Sequence, residues 1–273
     1  MTRVAACQLS LQVGHAEVNR ARADAAVRAA VAGGAEFVVL PELVSSGYVF
    51  RDADEARSLA ETVSGPTLTQ WRALSDELGI VLVGGFCELG ADGHLFNSAT
   101  LVDRGQVLAV YRKAHLWDTE KLVFTPGDAP PPVVDTTLGR VGVVICYDAE
   151  FPEWTRLVGL AGAQILAVPT NWPSSPPAAP RPAGERPMEV VRVQAAASAN
   201  RMYVVAADRC GTERGVSWVG GSVIVDPDGF PLAGGLATDH AQTLVADVDA
   251  SQALDKAISP RNDVHQDRRT DLY

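Results

Sequence analysis

Two stretches of this chain repeat one layout. VAGGAEFVVLPEL (31–43) and LAGAQILAVPTN (160–171) each run from a helix end through a glycine stop into a short apolar strand that closes on proline. A helical segment precedes each, and an apolar strand precedes that: RVAACQLS at 3–10 and RVGVVICYD at 140–148. The chain therefore reads as two strand–helix–strand units, one in each half. Their strands are apolar runs without polar alternation, the pattern of strands covered on both faces. An α/β fold follows.

Further strands are predicted at 80–87, 99–103, 106–111, 202–208, 222–226 and 243–248, and helices over 17–33, 66–78, 153–161 and 187–200. Ser64 and Pro66 open the second of these helices and Gly79 stops it. In the third, Trp154, Leu157, Val158 and Ala161 share one face, with Arg156 opposite. Asp103-Arg104-Gly105 and Asp226-Pro227-Asp228-Gly229 read as turns. No linker or shift in composition separates the halves, so one domain over 1–273 is expected. Residues 173–187 hold six prolines. A loop of that length is a candidate lid or substrate wall, with a plain surface loop as the alternative. Glu185 and Arg186 within it are candidate readers of a charged substrate end, or solvated loop charges.

Composition removes several function classes. A net charge of −10 disfavours nucleic acid, whose phosphates need a basic surface. No run approaches the ~18 apolar residues of a membrane helix. The opening MTRVAACQLS enters a strand pattern at once, so no signal peptide is expected and a cytoplasmic location is. Four cysteines, at 7, 87, 146 and 210, fit no CxxC or zinc-ligand spacing, and five histidines form no HxxxH. No metal and no disulfide are expected, and each thiol is by default a small buried hydrophobe.

Chemistry concentrates where strands end. Glu42 follows FVVLP, Lys113 follows VLAVYR, and Cys146 follows VGVVI ahead of a helix that starts near Pro152. Parallel α/β sheets gather reactive groups at the carboxyl ends of their strands. A cysteine with an ordinary pKa of ~8.5 needs a base or a cation to react at neutral pH. Glu42 can take the thiol proton and return it to a leaving amine. Lys113 and the backbone N–H of Tyr147 can face the charge of a tetrahedral intermediate. From residue types alone this set competes with three ordinary readings: a surface glutamate, a surface lysine and a core cysteine.

The segments PELVSSGY (41–48), YRKAHLWDTEKLVFTPGD (111–128) and ICYDAEFPE (145–153) resemble, in order, the three signature regions of the nitrilase superfamily of carbon–nitrogen hydrolases. The likeness continues through Asn200-Arg201 and VVAADRCGTE, the GGSVIVDPDG stretch (220–229) and the terminal RRTDLY, so it spans essentially the whole chain. It implies that Glu42 is the general base, Lys113 the cationic stabiliser and Cys146 the nucleophile. Glu120 matches a second glutamate that positions substrate or holds the lysine. The implied fold is a four-layer αββα sandwich with two mixed β-sheets. The implied assembly is a homodimer, or a higher homo-oligomer, paired through outer helices. The implied reaction uses no cofactor: a thioester forms on Cys146, ammonia or an amine leaves, and water completes hydrolysis of a small-molecule amide.

Within that family, tyrosine rather than tryptophan after the nucleophile resembles small-amide hydrolases more than true nitrilases. An amide is therefore expected over a nitrile, with N-carbamoyl hydrolysis as a further alternative. Tyr48, Trp117, Tyr147, Asn171 and Trp172 are candidate pocket walls, though single aromatics are more often core or interface. Other classes fit less well. A papain-like pair lacks a signature around His94, His115 or His240. A glycosidase using Glu42 and Glu150 would have few aromatics, at 6% of the chain, for a sugar cleft. An idle binding module should lack a member of the triad, and all three are present.

Overall fold

The computed structural model describes residues 1–174 and 184–273. Two six-stranded sheets dominate it. The first contains β1 (Thr2–Gln8), β2 (Phe37–Val39), β3 (Val81–Leu89), β4 (Leu95–Asp103) and β5 (Gln106–Arg112), and in the second are β6 (Val133–Thr136), β7 (Gly139–Val143), β8 (Ile165–Pro169) and β9 (Tyr203–Ala207). A two-stranded ribbon, β10 (Thr212–Glu213) with β11 (Val216–Ser217), follows. The second sheet is then extended by β12 (Val223–Val225) and β13 (Pro231–Gly234), and β14 (Gln242–Val248) returns to the first. Strand orders are β14-β1-β2-β3-β4-β5 and β13-β12-β9-β8-β7-β6.

The two sheets share a plan. β1, β2 and β3 run parallel, as do β7, β8 and β9, and antiparallel strands flank both trios. The repeated layout of the sequence is thus a repeated sheet. β2 and β8 are the central strands of the two trios, so the Glu42 and Thr170-Asn171 segments leave corresponding positions.

Five α-helices are present among the described residues: α1 (Ala16–Ala32), α2 (Ala53–Leu59), α3 (Pro66–Leu78), α4 (Pro152–Leu160) and α5 (Met188–Asn200). Alternation in the first sheet separates two interiors. Ala5, Cys7, Val38, Leu40 and Leu82 face outward onto Val27 and Ala30 of α1 and Trp71 and Leu74 of α3. Val4, Ala6, Phe37, Val39, Val81 and Val83 face inward and join the second sheet in one continuous core, which also takes Val158 of α4 and Val190, Val193 and Ala197 of α5. The layers are therefore αββα, as the resemblance implied. Past the exposed Arg3 and Arg140 near their starts, the strands of the two trios are buried on both faces, which is why none of them alternates in polarity.

Local details depart from the sequence reading. Gly65, not Ser64, precedes α3 and has no side chain to cap it; Glu61 Oε2 instead accepts the Thr67 N–H at 2.6 Å, Pro66 supplies a preset first turn and Gly79 ends the helix at φ 67°. In α4 the expected face splits. Val158 is fully buried beside Thr155 and Gly159, while Leu157 and Ala161 are exposed, so the apolar stripe exceeds what the sheet covers. Helix α2 went unforeseen, although Asp52 caps it by accepting the Glu55 N–H at 2.8 Å. No helix among the described residues is long and apolar enough to cross a membrane.

Candidate active site

Glu42 leaves β2 after Pro41 and is fully buried. Its backbone passes so close to β3 that a Cβ on Gly85 would lie 2.6 Å from the Glu42 Cα, so only glycine fits there. Leu43 then turns through the left-handed region at φ 49°. Lys113 directly follows β5. Its N–H donates to the Asn97 carbonyl at 2.8 Å and its carbonyl accepts from the Gly127 N–H at 2.8 Å, fixing the backbone on both sides.

Cys146 opens a 3₁₀ turn (Cys146–Glu150) after β7, with φ at 47°. A cysteine gains nothing intrinsic from that left-handed conformation, which costs of order 1–3 kcal/mol and persists only where the surroundings impose it. Asp148 imposes it. Its Oδ2 accepts the Ile145 N–H at 3.1 Å and the Tyr111 hydroxyl at 2.7 Å, while Oδ1 accepts the His115 N–H at 2.9 Å and lies 2.7 Å from His115 Nδ1. One buried carboxylate therefore ties the cysteine turn to the end of β5 and the segment after Lys113. Tyr147, second in the turn, stands where N–H groups have no partner within a helix.

The side chains converge from both sheets. Lys113 Nζ donates to Glu42 Oε1 at 2.8 Å and to Glu120 Oε1 at 2.9 Å. Asn97, on β4, donates from Nδ2 to Glu42 Oε1 at 2.6 Å and to Glu120 Oε1 at 3.3 Å. The Tyr48 hydroxyl donates to Glu120 Oε1 at 2.6 Å, and Glu120 Oε2 accepts the Trp117 N–H at 2.9 Å. Asn171 links the acid to the thiol: its Nδ2 donates to the Glu42 carbonyl at 2.9 Å, and its own carbonyl lies 3.8 Å from Cys146 Sγ. Glu42 Oε2 is buried and makes no hydrogen bond with the described residues.

Burial sets the protonation states. It pushes the Glu42 carboxyl up to about 7, with the Lys113 ammonium pulling down and Glu120 pushing further up. Burial acts to lower Lys113, but the charges of Glu120 and Glu42 outweigh it and raise the ammonium well above its ordinary value. The Cys146 thiol is raised well above its usual value, first by burial and then by Glu42, against the pull of Lys113. At neutral pH the cluster therefore rests as a neutral thiol, a charged ammonium and a carboxyl near the midpoint of its titration. Such a thiol becomes a nucleophile only as a base removes its proton.

The remaining wall candidates divide. Tyr48 and Trp117 line a cavity of ≈ 1070 Å³ that adjoins the cluster through Glu120, and the Trp117 ring meets the Tyr147 ring edge-on at 4.9 Å. Asn171 is buried in the cluster itself. Trp172 instead is buried in the core cluster that also takes Val190 of α5. Glu150 pairs with Arg192 at 3.1 Å and is not among the bonded members of the cluster. Glu185 and Arg186 are exposed, and most of the proline-rich stretch, 175–183, lies outside the described residues. No group of three or more His, Cys, Asp and Glu side chains among the described residues is arranged to hold a metal ion.

Three contributors had no role in the sequence reading. Asn97 lay outside the strand expected at 99–103, which in the structure begins at Leu95, and Asp148 was an unassigned letter of ICYDAEFPE. The third is the segment after β9. Arg209 and Glu213 form a buried pair at 2.8 Å, and Glu213 Oε2 accepts the N–H groups of Tyr48 and Val49 at 2.9 and 2.7 Å. The Arg209 guanidinium covers the Trp218 ring at 4.5 Å, and Trp218 meets Tyr48 edge-on at 5.2 Å. Next to them the buried Asp208 accepts the N–H groups of Trp172, Arg209 and Gly221, at 2.9, 2.8 and 2.9 Å.

Comparison with known proteins adds independent findings. The profile of the carbon–nitrogen hydrolase family matches residues 3–255. A protein of Pyrococcus abyssi named nitrilase is 35% identical over 274 residues, covering 100% of this chain and 99% of the relative. An N-carbamoylputrescine amidase of Solanum tuberosum is 36% identical over 273 residues, covering 93% and 88%. Among solved structures, a glutamate-to-glutamine mutant of the amidase from Nesterenkonia sp. AN1 superposes with a TM-score of 0.79 at 30% identity, covering 100% of this chain and 98% of that one. In that mutant, acrylamide has added to the active site cysteine.

Proposed function

From the premise that the chain belongs to the carbon–nitrogen hydrolase family, we propose that it hydrolyses small primary amides through a thioester on Cys146. One observation carries this reading: Glu42 Oε2, which has no partner among the described residues, is buried in the cluster that Asn171 joins to the Cys146 thiol, while the other oxygen is held by Lys113 and Asn97. One oxygen is anchored and the other is available to a proton.

The steps follow from that division. Glu42 takes the thiol proton as Sγ attacks the amide carbon, and the carbonyl oxygen becomes an oxyanion. Lys113 Nζ and the Tyr147 N–H face that charge. Collapse breaks the C–N bond, and Glu42 passes its proton to the departing nitrogen, which leaves as ammonia. Glu42 then takes a proton from water as water adds to the thioester, and the thiol is restored as the carboxylic acid departs. Glu120 and Tyr48 position Lys113; Asn97 orients Glu42.

The added acrylamide supports the thiol chemistry in the Nesterenkonia protein, and this chain carries its own cysteine at a strained turn. The neutral resting thiol and the raised Glu42 favour attack assisted by a base over a preformed thiolate. We further propose a homodimer joined through α4 and α5, whose outer surfaces expose Leu157, Leu160 and Val191. A reducing cytoplasm suits four free cysteines. Ammonia release from a panel of primary amides, nitriles and N-carbamoyl amino acids tests the activity. Turnover confined to nitriles or to N-carbamoyl compounds would replace the amide assignment.

A further inference from the structure

The cavity outside the cluster is far larger than a short amide requires. At ≈ 1070 Å³ it reaches the upper end of small-molecule pockets. Its inner wall is shared with the chemistry. Tyr48 and Glu120 line it and bond to each other at 2.6 Å, and Trp117 lines it with its ring against Tyr147, the neighbour of Cys146. The cavity therefore begins beside Glu120, which holds Lys113, and beside the Trp117 ring that packs on Tyr147, the residue after Cys146.

Much of the outer wall is apolar. Phe50 and Phe124 meet edge-on at 6.0 Å, and Leu122, Val216 and Trp218 join them, with Thr119, Ser174 and Ser217 as its neutral polar members. Leu122 is 80% exposed, with its apolar side chain presented to the cavity rather than to the core. Among the described residues of the wall, three carboxylates, Asp52, Asp118 and Glu120, stand against one cation, Arg51, whose partner Glu55 also bonds Arg214. Arg51 is tied to Glu55 through its N–H at 2.7 Å and Nε at 3.0 Å. Asp52 is engaged in capping α2, Glu120 is neutralised by Lys113, and Asp118 adds a further negative charge. Among the described residues, no cation of the wall lacks a carboxylate partner.

We propose that this cavity is the acyl-group subsite and that it selects primary amides whose acyl group is bulky, apolar and uncharged, such as an arylalkyl chain. The inference rests on the amidase reading and narrows it. Burying an aromatic ring against these side chains releases apolar surface from water, whereas a terminal carboxylate would be desolvated beside Asp118 and would have to compete with Glu55 for Arg51.

The test compares kcat/KM, by ammonia release, for butyramide, 4-phenylbutyramide, pentanamide and glutaramate, the last two matched in length and differing in the terminal carboxylate. The phenyl compound should exceed butyramide by about tenfold or more, and glutaramate should fall below pentanamide by a similar factor. Leu122→Asp, at an exposed position that leaves the core intact, should cut the phenylbutyramide-to-butyramide ratio about tenfold. Calorimetric binding of the two amides to Cys146→Ala protein reads the cavity without turnover. Hydrolysis with no preference, or with glutaramate preferred, overturns the subsite and leaves the amidase reading in place. Tighter binding of the phenyl compound with no amide hydrolysis overturns the amidase reading and leaves the subsite.

Discussion

Glu42 and Glu213 are both buried carboxylates bonded to buried cations, and they differ in what remains unbonded. Glu213 spends both oxygens: Oε1 on Arg209, and Oε2 on Arg209 and two backbone N–H groups. Glu42 spends only Oε1, on Lys113 and Asn97, and keeps Oε2 without a partner among the described residues. A saturated buried carboxylate orders the chain around it, because each donor it satisfies would be costly to strand. An unsaturated one stores that cost as proton affinity, and burial duly lifts Glu42 to about 7. On the proposed mechanism, the first kind braces and the second reacts.

The largest expected effects break this comparison in opposite ways. Cys146→Ala and Glu42→Gln should each lower kcat by about 10⁴-fold or more, since members of a catalytic unit are lost together. Glu42→Gln should nevertheless melt close to the wild type, because Lys113 keeps Glu120 as its counter-ion. Glu213→Gln should do the reverse. Removing one partner of a buried pair costs about 3–5 kcal/mol. For a chain of this size that is a fall in Tm of roughly 10 °C. Thermal melts and kcat measured below the transition distinguish the two. A stable Glu213→Gln would remove the brace, and a Glu42→Gln within tenfold of wild-type activity would remove the base.

Acidity sharpens the contrast next. Glu42 must be ionised to accept the thiol proton, so kcat/KM should fall as pH drops through about 7. Stability should move the other way. Glu42 and Asp208 are both pushed up by burial to about 7, far above an unfolded carboxylate. The folded chain therefore holds protons at pH 5 to 7 that the unfolded chain has lost, and the stability they contribute is full below the unfolded pKa and disappears as pH rises through 7. Melts from pH 5 to 8 should show Tm declining, with a shallower slope in Glu42→Gln. A slope unchanged in Glu42→Gln would mean that Glu42 is not raised.

How much of this was legible follows from where each partner lies in the chain. The repeated strand–helix–strand halves were visible because a doubly buried strand has a local signature, and strand ends marked Glu42, Lys113 and Cys146. Glu120 came from resemblance, and the structure places it on Lys113. Partners contributed by distant segments were not legible. Asn97 reaches Glu42 across 55 residues and Glu213 reaches Tyr48 across 165, and neither has a local pattern that names its partner. The left-handed Cys146 was hidden for a related reason: the conformation is imposed by Asp148 through Tyr111 and His115, which belong to another sheet and a loop. Trp172 looked like a wall because it follows a strand end, but its N–H is held by Asp208 and its ring is taken into the core.

Tyr48 belongs to both clusters, and its two polar ends allow the smallest prediction to separate them. Its backbone N–H is held by Glu213, and its hydroxyl donates to Glu120 Oε1, which in turn holds Lys113. Tyr48→Phe removes only the second contact, while the ring keeps its edge-on packing against Trp218. Losing one hydrogen bond to a charged acceptor should lower kcat by about tenfold. Tm should stay close to the wild type, since the Glu213 bonds to the backbone are untouched. A Tyr48→Phe protein that melts as low as Glu213→Gln would show the hydroxyl to be part of the brace. One with unchanged kcat would show that Glu120 holds Lys113 without help, and the link between the two clusters would then end at the Tyr48 backbone.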